Sequence, residues 1–143
     1  MPTAITLCTP VSDYLVHVNH IPKPDGVAKI YDQSWQFGGN AATAIVTVAR
    51  QGVSAGIIGV VGDDANGRAQ RVDFMRHGVD TTYLKADPNA ATRYCICLSD
   101  EETNGRAFLS PDSVSIPYPE EELDMDYLLG AKYLLLEDRK SVV

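Results

Sequence analysis

Three observations predict an α/β fold for this chain of 143 residues. Apolar runs at 5–8, 53–61 and 131–136 alternate with helical segments at 40–51, 68–77 and 120–129. That alternation is the pattern of a parallel sheet with crossover helices. Two further stretches, about 14–37 and 91–110, alternate apolar and polar residues and read as half-solvated strand pairs. They are expected to form a small antiparallel sheet set against the parallel one.

The first run, 5–8, reads as a buried strand and leads to Thr9-Pro-Val-Ser-Asp13. A carboxylate at the carboxyl end of the first strand sits where α/β sheets bind ligands, although Asp13 could equally shape a turn. Residues 14–21 and 29–37 form the first strand pair, joined by the turn at 21–26. His17 and His20, three apart, fall on opposite faces of such a strand, which argues against a metal pair.

The stretch 37–62 organises the chain. Gly38 and Gly39 allow close approach to the backbone, and Asn40 to Gln51 contains no Gly or Pro. This helix is expected to be buried nearly all round, because only Thr43, Thr47, Arg50 and Gln51 are polar after Asn40. Its N-terminus offers unpaired N–H groups to an oxygen-rich ligand. Residues 53–61 form the next strand, followed by Gly62-Asp63-Asp64-Ala-Asn66-Gly67. The acidic pair could hold Mg²⁺, but it is better placed to cap the helix at 68–77. Residues 79–84 read as a short exposed crossing.

Residues 91–99 and 106–110 form the second strand pair. Cys95 and Cys97 share a strand face, and Cys8 is the third cysteine. No second Cys or His pair completes a metal-ligand set, so the two read as small strand side chains rather than half a metal site. A Pro-rich loop, an acidic-start helix at 120–129 and a final buried strand at 131–136 complete the order.

The net charge of -7, with no basic cluster, speaks against a nucleic-acid partner. No apolar run is long enough to span a membrane, and no secretory signal is recognised, so a cytoplasmic location is expected.

Gly38-Gly39-Asn40-Ala-Ala, Gly52 near the helix end, and Gly59-x-x-Gly62-Asp-Asp64-x-x-Gly67 resemble the first signature of the PfkB/ribokinase family of carbohydrate kinases. Ser34-Trp-Gln-Phe-Gly-Gly-Asn40 looks closest to ketohexokinases, and Ala41-Ala-Thr-Ala44 also to sulfofructose kinases. The resemblance implies a ribokinase-like fold with a β lid, and transfer of the ATP γ-phosphate, with Mg²⁺, to a sugar hydroxyl. It makes Asp13, Gly38, Gly39, Asn40 and Thr43 the sugar-binding candidates. Many members carry Asn where this chain has Thr43, which alters the sugar contact there. The oligomeric state is left open, although the aromatic faces of the lid strands could pair two copies of the complete protein as a homodimer.

The family's second signature, containing G-A-G-D with the general base, does not occur here. Residues 1–137 are therefore expected to be the N-terminal part of such a domain, truncated C-terminally, with the sugar-binding half present and no kinase activity of its own. Asp138-Arg-Lys-Ser-Val-Val143 matches the translation of a common short-read sequencing adapter, so 138–143 is expected to be a non-native tail. A dinucleotide-binding enzyme would need G-x-G-x-x-G after a strand, and a Walker-type nucleotidase a P-loop; neither spacing is present. The remaining rival is a non-catalytic sugar-binding or interaction module.

Overall fold

The computed structural model describes residues 1–111 and 117–137. The elements are β1 (Ala4–Leu7), β2 (Val11–Val18), β3 (Ile30–Gly38), α1 (Asn40–Arg50), β4 (Ala55–Gly62) and α2 (Ala65–Arg76). There follow β5 (Val79–Asp87), β6 (Tyr94–Asp100), β7 (Arg106–Leu109), a 3₁₀ turn (Glu120–Glu122), α3 (Met125–Leu129) and β8 (Tyr133–Leu136). The proposed tail, 138–143, lies outside the described residues.

Four strands form a parallel sheet in the order β5-β4-β1-β8. Alternate residues of each strand feed opposite faces. Ala4, Ala55, Ile57 and Val61 meet Ala42, Ile45 and Phe74 on the side of α1 and α2. Ile5 and Ile58 meet Tyr127 of α3 on the other face. Gly59 lets β1 and β4 approach, since a methyl group there would lie 2.6 Å from the Cys8 carbonyl oxygen.

The other four strands form a separate sheet in the order β3-β2-β6-β7. The expected lid is present, but it is not purely antiparallel. Its two hairpins, β2–β3 and β6–β7, are joined by the parallel pair β2–β6. The lid is tied to the larger sheet by a buried hydrogen bond, in which Gln70 Nε2 of α2 donates to Ser12 Oγ of β2 at 2.8 Å.

Further expectations are corrected. Residues 79–84 are no exposed crossing: they begin β5, the edge strand next to β4, with Val79 and Leu84 buried. The β-branched run Val79-Asp-Thr-Thr82 suits a strand, and Arg71 secures it by donating to the Thr81 and Leu84 carbonyl oxygens. Helix α1 is buried along one side only, at Ala41, Ala42 and Ile45, while Thr43 and Thr47 face solvent. The segment 120–129 breaks after its 3₁₀ turn, because Asp124 accepts from Tyr127 N and starts a new helix. The final strand pairs with β1 but is exposed at all four residues rather than buried. No helix among the described residues is long and apolar enough to cross a membrane.

Candidate functional site: a carboxylate over a glycine pair

Asp13 does not lie at the end of β1. It is the third residue of β2, on the lid. Alternation along β2 points Asp13, Leu15 and His17 to one face. Their register partners are Gln36, Ser34 and Asp32 on β3, and Cys95, Cys97 and Ser99 on β6. With Arg106 and Phe108 of β7, most of this face lines an open cavity of about 540 Å³.

The glycine pair sits at the base of this face. The Asp13 carboxylate occupies the space that a side chain at Gly38 would need. Gly39 has φ +96°, a backbone conformation that favours glycine, and it turns the chain from β3 into α1. The N-cap of α1 is therefore Gly39, with no side-chain capping hydrogen bond. Asn40 is exposed at the first residue of α1. Burial raises the Asp13 carboxyl above the usual carboxylate range, with no compensating hydrogen bond to it among the described residues.

Asp13 and Gly38 are thus brought together, with Gly39 and Asn40 following directly in the chain. Thr43 is set apart: with Gly38 it lines a smaller recess of about 130 Å³ between α1 and α2. Its hydroxyl-bearing side chain lies on the solvated side of α1, and its carbonyl oxygen accepts from Thr47 Oγ1 at 2.9 Å.

Of the acidic pair after β4, Asp64 is the capping residue. Its Oδ1 accepts from Gly67 N at 2.8 Å and Thr92 Oγ1 at 2.7 Å, and its Oδ2 accepts from Thr92 N at 2.8 Å. Burial pushes this carboxyl up, but the hydrogen bonds outweigh it and hold Asp64 below the usual carboxylate range. Asp63 pairs with Arg68 at 2.9 Å on the surface. Asp64 thus caps α2, as expected.

A second cavity, about 240 Å³, opens at the carboxyl ends of β1 and β4, between Cys8, Thr9, Tyr118 and Glu137. Glu137 Oε2 and the Tyr118 hydroxyl are buried there without a hydrogen-bond partner among the described residues. Burial, with the nearby Glu137 charge adding to it, pushes the Cys8 thiol up to about 12 despite a hydrogen bond with Thr6. Sequence reasoning passed over Glu137. Its position directly after the last apolar strand was the available signal, because ligands bind outside the carboxyl ends of parallel strands.

The family model for pfkB family carbohydrate kinases matches residues 10–141. The chain belongs to that family. It is 32% identical over 130 residues to the ATP-dependent ribose-1-phosphate kinase of Halopiger xanaduensis, covering 90% of this chain and 43% of that protein. It is 34% identical over 103 residues to the 5-dehydro-2-deoxygluconokinase of Bacillus subtilis, covering 69% of this chain and 31% of the relative. The fold is that of ribokinases. The Arabidopsis thaliana enzyme complexed with ribose and ATP superposes with a TM-score of 0.76 at 17% identity, over 94% of this chain and 45% of that one. The Thermotoga maritima ribokinase gives 0.78 at 18% identity, over 94% and 44%. The chain thus spans less than half the length of these relatives.

Proposed function

We propose that this chain is the sugar-binding part of an ATP-dependent sugar kinase, and that Asp13, Gly38, Gly39, Asn40 and Thr43 form its sugar site. The observation that carries this reading is the Asp13 carboxylate lying over side-chain-free Gly38, directly before the Gly39 turn and Asn40. A carboxylate and a carboxamide together accept from and donate to vicinal hydroxyls, which is what a sugar presents. The open face of the lid above them leaves room for such a ligand. Thr43 would contribute at the margin, because it faces the smaller recess.

Mg²⁺ takes hard oxygen ligands, whereas Asp63 is held in an ion pair, Asp64 in a cap, and the Asp13 carboxylate lies within 4.8 Å of two sulfurs, so these three carboxylates do not form an all-oxygen set for it. ATP and Mg²⁺ would be held by residues outside this chain, as would the general base. The 143-residue chain would then have no kinase activity unaided. The ketohexokinase or sulfofructose-kinase branch, a cytoplasmic location and pairing of lids between two copies belong to the same proposal.

The test is a calorimetric titration of the chain with pentoses and ketoses without nucleotide, alongside a phosphorylation assay with ATP and Mg²⁺. Sugar binding that Asp13→Asn weakens by about 10-fold or more, the value of one charged hydrogen bond, is the expected result. Turnover by the chain itself would overturn the division of labour. Sugar binding indifferent to Asp13 and Asn40 would overturn the site.

A further inference from the structure

Asp13, Cys95 and Cys97 bring one carboxylate oxygen and two sulfurs within 4.8 Å of one another. The arrangement follows from register. Asp13 of β2 lies opposite Cys95 of β6, and Cys97 is two residues further along the same strand. Strand alternation therefore turns all three side chains to the cavity face of the lid.

The two Sγ atoms are 3.9 Å apart. This spacing suits a bridging ion better than a bond. A disulfide needs sulfurs about 2.05 Å apart, and strand residues two apart have Cα atoms about 6.7 Å apart, at the far limit of what a disulfide spans. A tetrahedral ion bound by two thiolates at about 2.3 Å holds its sulfurs about 3.8 Å apart. The observed pair already has that separation. The carboxylate oxygen lies within 4.8 Å of both sulfurs and is placed to supply a third corner.

We propose that Asp13, Cys95 and Cys97 form a binding site for a thiophilic divalent cation of the zinc class. Two soft sulfurs select Zn²⁺ or Cd²⁺ over Mg²⁺ or Ca²⁺. On binding, each thiol gives its proton to solvent and the carboxylate completes a three-sided site. Asp13 and Cys97 line the open cavity, through which the cation would reach the site. Arg106 on neighbouring β7 lines the same cavity and opposes the cation with one charge, against three on the bound ligand set. The site rests on the cluster geometry and stands whether or not Asp13 also binds sugar.

The experiment uses the reduced chain and the metal alone. Cd²⁺ is titrated while the ultraviolet thiolate-to-Cd²⁺ charge-transfer band is followed, and Zn²⁺ affinity is measured against a chromophoric chelator. The expected result is one equivalent bound, with the band abolished in Cys95→Ser/Cys97→Ser and retained in Cys8→Ser. Asp13→Asn is expected to weaken Zn²⁺ about 10-fold or more while keeping the band. Circular dichroism confirms that each variant is folded. A folded wild-type chain without the band overturns the proposal before any variant is made. So does a band that survives the double substitution, or one that Cys8→Ser removes. Unchanged Zn²⁺ affinity in Asp13→Asn removes the carboxylate from the site and overturns the three-ligand proposal.

Discussion

Strands β4 and β8 both pair in parallel with β1, one on each side of it, and both are apolar. All eight residues of β4 are buried. All four residues of β8 are exposed, with Tyr133 at 60% and Leu135 at 41%. The difference lies in what surrounds them. β4 has a strand on each edge, α1 and α2 against one face and Tyr127 against the other. β8 has β1 on one edge, and no other described strand pairs with it. Apolar composition makes a strand, but neighbours make it buried. An apolar edge such as β8 is open to pairing with another chain.

The comparison is tested most severely at Ile57, which is fully buried in β4. Ile57→Ala is expected to cost about 2–5 kcal/mol, from lost transfer energy and an unfilled cavity. Urea denaturation would show it as a lower midpoint with little change in slope. A loss below about 1 kcal/mol would mean that β4 is not the packed centre.

The next effect is steric. Gly59→Ala would place a methyl group 2.6 Å from the Cys8 carbonyl oxygen, forcing β1 and β4 apart. Such overpacking costs about 1–3 kcal/mol, readable in the same denaturation series.

At the end of β4, Asp64→Ala removes an N-cap, at about 0.5–2 kcal/mol. The pH dependence has a definite sign. The folded carboxyl lies below its ordinary value, so its contribution is present above the unfolded pKa and is lost as pH falls through the folded one. The variant should therefore differ from wild type at neutral pH and converge with it in acid. Thermal melts of both proteins across that range check this.

The smallest change is expected at β8. Leu134→Ser should alter stability by no more than about 0.5 kcal/mol, because the side chain is already 43% exposed. A cost comparable with that of Ile57→Ala, especially one that grows with protein concentration, would show that β8 is covered in solution by a second copy.

The parallel sheet was legible because its strands are short apolar runs separated by helices with recognisable ends, such as Gly52 and Gly78, both at positive φ. The two lid hairpins were legible from alternation. Their junction was not. Alternation shows which residues share a face, but it cannot distinguish a parallel β2–β6 pair from an antiparallel one. β5 escaped notice because its buried residues, Val79 and Leu84, flank polar Asp80 and Thr82 in an edge strand. At the site, the glycines carried their own signal, whereas Asp13 was expected at the end of β1 and lies on β2 instead. The closeness of Asp13 to Cys95 and Cys97 depended on long-range register, which no local pattern encodes.

The β2–β6 pairing also sets the order in which the chain can assemble. Each lid hairpin closes locally, but Ser12 finds Tyr94 only after β3, α1, β4, α2 and β5 have been accommodated between them. Closing so long a loop costs entropy before its contacts repay it. The lid should therefore unite late in folding, once β4 and β5 have brought its two hairpins side by side, and substitutions along β2–β6 should hasten unfolding more than they slow folding.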